Sequence, residues 1–178
     1  MRAALVTLVA LVAVLAAACG GASAPPPALS NTASGPAAAA HEPLATIERT
    51  ACFGWCPVYK VTIFRDGALD YEGKRYVRTK GPASGHLSPE QIAALDALFQ
   101  NSRYLDFKDA YQEHSMTDSP STYTSYTPAG GKPKSVKHYH GDATAPKQLG
   151  AVEDGIDRII EIEQWIGSDE ERRKMKRE

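Results

Sequence analysis

Two cysteines four positions apart and two histidines two positions apart are the residues of this chain best spaced for chemistry. Cys52 and Cys56 frame the block Cys52-Phe53-Gly54-Trp55-Cys56-Pro57. Thiols this close in sequence can close a disulfide, cycle between reduced and oxidised forms, or hold a soft metal as thiolates. Fully extended, their Cα atoms would stand about 13 Å apart, whereas a disulfide requires about 4.4–6.8 Å. A tight turn must intervene, and Gly54 supplies the backbone freedom for it. His138 and His140 alternate across Tyr139. On a strand both imidazoles project from one face, where His114 or Asp118 would complete a set of metal ligands. The same spacing suits two half-exposed residues of a tyrosine-rich sheet, with Asp118 capping the turn before Ser119-Pro120. Trp55, Tyr123, Tyr126 and Tyr139 likewise read either as core and sheet residues or as an aromatic recognition surface. No nucleophile elbow, phosphate loop, HExxH or dinucleotide-binding glycine pattern occurs, so no residue is assigned a catalytic role and no cofactor is called for.

The third cysteine fixes an address. Arg2 precedes an uncharged run that ends in Leu15-Ala16-Ala17-Ala18-Cys19-Gly20, the layout of a secretory signal too short to span a bilayer. The small residues before Cys19 resemble the bacterial lipobox, with the leucine one place early. That implies cleavage after residue 18 and a lipidated, palmitate-bearing Cys19; cleavage at an ordinary Ala-x-Ala site would leave a free thiol. Gly20 in place of Asp implies an outer-membrane anchor facing the periplasm. Residues 19–43 follow as lipid anchor and an Ala, Pro, Ser and Gly tether that cannot bury enough surface to order itself. Its reach is on the order of 25 Å. Export places Cys52 and Cys56 where disulfides persist. C-x-x-x-C-P also resembles the copper motif of Sco-type proteins, which add a distant histidine, here His138. Against that, Pro57 to Phe64 has the composition of a strand and not of the helix that thioredoxin-like folds open at their cysteines.

These residues need a scaffold, and residues 44–167 are long enough for one core. A three-residue hairpin loop, Arg65 to Gly67, pairs Ile63 with Leu69, Val61 with Tyr71 and Lys60 with Glu72, giving one dry and one charged face. Further strands are expected over 44–50, 75–79, 122–127 and 135–140. Ser88-Pro89-Glu90-Gln91 is a capping box that opens a helix over 89–101. A second helical stripe runs from Pro146 to Ile166 through Leu149, Val152, Ile156 and Ile160, weakened by Gly150 and Gly155. Residues 168–178 form a charged tail, read as a solvated fraying end. The expected fold is a single α+β domain, an antiparallel sheet of about five or six strands with two helices packed on it.

The run T-A-C-F-G-W-C-P-V-Y-K-V-T-I-F-R-D-G, with Tyr71-Glu72-Gly73, Thr117-Asp118-Ser119-Pro120 and His138-Tyr139-His140-Gly141-Asp142, resembles the bacterial domain-of-unknown-function family 6438 over residues 45–166. The resemblance implies an exported, often lipid-anchored protein and supplies no activity. With the leader removed, 19 basic residues face 21 acidic ones, so no basic field invites nucleic acid. The expectation is a membrane-tethered, non-catalytic binding or envelope-structural module, its partners the membrane and an envelope protein or small ligand. The alternative is thiol, copper or other metal chemistry through Cys52, Cys56 and His138.

Overall fold

Alternation along β1 (Pro43–Arg49) turns Ala45, Ile47 and Arg49 to one side of a sheet and Thr46 and Glu48 to the other. A computed structural model describes residues 41–113 and 118–175. Around β1 it builds a seven-stranded sheet in the order β4-β3-β2-β1-β6-β7-β5. The other strands are β2 (Val58–Phe64), β3 (Ala68–Arg75), β4 (Gly81–His86), β5 (Ala110–Tyr111), β6 (Ser121–Tyr126) and β7 (Lys134–Tyr139). All neighbours are antiparallel except β5 and β7. The fold is α+β as expected; β5, two residues long, is the strand too short to announce itself in sequence.

The β2–β3 hairpin has the expected register, Ile63 opposite Leu69, Val61 opposite Tyr71 and Lys60 opposite Glu72, with Gly67 at φ 89° closing the loop. The strand expected over 75–79 is instead an arch. Tyr76 sits at φ 50°, and the backbone N–H groups of Arg78 and Thr79 donate to the carbonyls of Ile166 and Trp165. The arch passes so close to β3 that a Cβ on Gly73 would overlap the Thr79 carbonyl, and Tyr71 donates its hydroxyl to that carbonyl at 3.2 Å. β4 begins only beyond it, at Gly81.

Two helices cover the face carrying Ile47, Val61 and Tyr71. α1 (Pro89–Asn101) opens on the expected capping box: Gln91 N donates to Ser88 Oγ at 3.2 Å and Ser88 N to Gln91 Oε1 at 2.9 Å. Its Leu95 and Phe99 are buried. α2 (Lys147–Ile159) buries Leu149, Val152 and Ile156. The long stripe expected to Ile166 breaks after α2, where Glu161 adopts φ 52°, and resumes as the single turn α3 (Glu163–Ile166). The chain then continues as α4 (Asp169–Met175), not as a fraying end over those residues. α4 is fastened by Arg78 to Glu171 at 2.7 Å and by the Trp55 indole donating to Asp169 Oδ1 at 3.0 Å.

Candidate functional site

Strand register assembles a polar row at one end of the covered sheet face. Arg49 on β1 lies opposite Tyr59 on β2 and Thr122 on β6, and Thr122 lies opposite His138 on β7. Opposed residues of antiparallel strands share a face, so all four side chains point toward the helices. His140 extends the row two residues past His138, beyond the end of β7. Above them α2 brings Glu153, Asp154 and Asp157; the first and last are one helical turn apart.

The helix acids meet the sheet row in two pairings. Arg49 Nε donates to Asp157 Oδ2 at 2.8 Å and to the Tyr59 hydroxyl at 3.2 Å, while an outer nitrogen reaches Asp154 at 3.2 Å. Tyr59 in turn donates to Asp157 Oδ1 at 2.6 Å. Burial works against the Arg49 charge, yet Asp157, Tyr59 and Glu153 outweigh it and hold the guanidinium above its usual value. Burial raises the Tyr59 phenol well above its ordinary range, with Asp157 adding to it. Asp157 is raised as well, by burial first, against the opposing pull of Arg49 and Tyr59.

The second pairing is His138, His140 and Glu153. His138 Nδ1 lies 2.8 Å from Glu153 Oε1, His140 Nε2 lies 3.4 Å from Oε2, and the two imidazoles stack at 4.3 Å. His140 Nε2 also lies 2.7 Å from Thr122 Oγ1. The Glu153 side chain is 1% exposed, and its Oε2 accepts no hydrogen bond. Burial lowers the His140 pKa, helped by His138 and Arg49 and opposed by Glu153. One donor atom from each of the three residues lies within 4.8 Å of the others.

A cleft of about 350 Å³ opens onto this end of the sheet, with Arg49, Tyr59, His140 and Asp154 on its walls and Cys56 and Pro57 at its lip. The lip belongs to the cysteine loop, where the Cys52 and Cys56 sulfurs stand 1.99 Å apart and their Cα atoms 5.7 Å, a pair at disulfide distance. Trp55 in that loop faces Arg173 of α4, whose guanidinium carbon is 5.1 Å from the ring centroid, and Phe53 is 88% exposed.

Of the residues singled out by spacing, His138 and His140 lie on one face with their rings stacked 4.3 Å apart. Asp118 does not join them: it sits in a turn at φ 66°, its carbonyl accepting from Phe53 N. Cys19 and His114 lie outside the described residues. His138 is buried beside Glu153 and does not line the cleft, whereas His140 shares the cleft with Cys56. Tyr126 and Tyr139 are buried, and Tyr123 is exposed on the opposite sheet face. Sequence reasoning missed Arg49, Tyr59, Thr122, Glu153, Asp154 and Asp157. A signal for Glu153 was present: it falls between Val152 and Ile156 and four residues after Leu149, inside the apolar stripe, where an acid demands a partner.

The sequence model of the family described as Domain of unknown function (DUF6438) matches residues 43–160, from the start of β1 to just past α2. The matched span holds every residue of the polar row and its helix acids. No curated protein and no solved structure matches the chain.

Proposed function

Because this chain belongs to DUF6438, a domain family of unknown function, we propose a function from its cleft and its leader: an exported domain, lipid-anchored through Cys19 on the bacterial envelope, that binds a small ligand or an envelope partner without transforming it. The observation that carries the reading is the cleft itself. Its polar walls are fixed by mutual pairing, Arg49 with Asp154 and Asp157, Tyr59 with Asp157, and His140 with Thr122, the rigid polar lining of a recognition site. The leader and the Ala, Pro, Ser and Gly tether support an anchor that holds the domain off an outer membrane on its periplasmic side. Cells supplied with a clickable palmitate analogue should label the wild-type protein and not Cys19→Ala. A labelled mutant, or an unlabelled wild type, removes the anchor.

In this reading Cys52 and Cys56 form a structural disulfide that shapes the lip of the cleft. A second reading, thiol or copper chemistry, draws support from Cys56 and His140 facing one cleft. Alkylation of the unfolded, unreduced protein should label neither Cys52 nor Cys56, with both labelled after reductant. Stoichiometric copper binding by the reduced protein, lost in Cys52→Ser, would decide for the second reading.

A further inference from the structure

We propose that His138, His140 and Glu153 form a binding site for one divalent first-row transition ion of the zinc type, reached through the cleft. The inference rests on reading that cleft as a ligand site. Two imidazoles and one carboxylate are the donor set that suits such ions, whereas calcium and magnesium take oxygen ligands. The three donors already converge within 4.8 Å, from two different elements, so the ion would tie the end of β7 to the middle of α2.

Three independent features point to a cation. Glu153 Oε2 is a buried acceptor without a hydrogen bond, aimed at His140; such an atom costs free energy unless something positive completes it. The neighbourhood is acidic, with the carboxyl groups of Glu153, Asp154 and Asp157 set against the single guanidinium of Arg49. The contacts to the carboxylate bracket the spacing around a tetrahedral ion, about 3.3 Å between ligand atoms for bonds of about 2.0 Å, with His138 Nδ1 at Oε1 and His140 Nε2 at Oε2, and the stacked imidazoles turn to bring both nitrogens onto one ion. The His140 Nε2–Glu153 Oε2 distance of 3.4 Å is already near that value. The His138–Glu153 contact of 2.8 Å opens by about 0.5 Å when an ion replaces the hydrogen it carries, and that hydrogen leaves to solvent. Thr122 Oγ1, 2.7 Å from His140 Nε2, then turns to hold a water on the remaining coordination position. His140, 30% exposed on the cleft wall, provides the entry path.

The test uses the full chain, purified in detergent without a polyhistidine tag, stripped of metal and titrated with Co(II) and then Zn(II). One equivalent of Co(II) should bind with the visible absorption of a four- or five-coordinate ion, and Zn(II) should displace it. His140→Gln and Glu153→Gln should each weaken Co(II) by about 100-fold or more, since losing even an outer-shell partner of a ligand costs about 10–100-fold. His140→Gln is the decisive variant, because its partly exposed site keeps the fold whether or not Glu153→Gln survives. Cys52→Ser with Cys56→Ser should bind as the wild type does. No absorption at 1 mM Co(II), about the weakest affinity compatible with a dedicated site, overturns the proposal, as does binding that survives His140→Gln or disappears with the cysteines. Failure here with palmitate labelling of Cys19 intact removes the ion and leaves the anchored domain standing.

Discussion

Arg49 shows how one side chain holds an acidic cluster together. Its nitrogens contact Asp154, Asp157 and Tyr59 at once, and only 18% of its side chain is exposed. Removing one partner of such a pair leaves a buried charge uncompensated and costs about 3 kcal/mol. Arg49→Met should therefore destabilise the domain by about that much at pH 7. The loss should depend on pH, with a sign that follows from Asp157. In the fold its pKa already lies above 3.8 because of burial, and without Arg49 it rises further. Between 3.8 and that raised value the folded state then binds more protons than the unfolded one, so stability falls as pH rises. Urea unfolding should find the variant close to wild type near pH 3 and well below it at pH 7. A penalty independent of pH would mean that Arg49 acts by packing alone.

At the scale of elements, the two glycines of α2 separate into different roles. A Cβ on Gly150 would meet nothing within 4 Å, whereas one on Gly155 would come within 2.8 Å of Leu98 Cδ2 on α1. Gly150→Ala should raise stability by about 0.5–1 kcal/mol, the helix-propensity difference. Gly155→Ala should gain clearly less, because the helices meet there. Equal gains in urea unfolding would contradict the close approach of α1 and α2. Composition exposes the weak propensity of both positions but not the neighbour that makes one of them necessary, since Leu98 is far away in sequence. The arch at 76–80 teaches the same lesson. Tyr76 and Val77 have strand character, but the backbone just after them, at Arg78 and Thr79, donates to carbonyls of α3, and no local signal announces that partner. The hairpin and the capping box were legible because their partners lie within a few residues.

For the molecule as a whole, the candidate site was half legible. His138 and His140 stood out by type and spacing, but their third companion is supplied by the packing of α2 on the sheet, a long-range contact that spacing cannot fix. Arg49 was hidden for a related reason: it ends an alternating strand and reads as the place where the apolar face stops, while register makes it the centre of a row across four strands. The sheet itself is open, so it has two borders. One is β5, only two residues long, and the other is β4, whose sequence Gly81-Pro82-Ala83-Ser84-Gly85-His86 includes a residue with no N–H to offer and two with no side chain. Such borders are poor templates for a strand from another copy. At high local concentration, where copies of the domain collide often, such blunt borders deny one sheet the edge on which another could extend it.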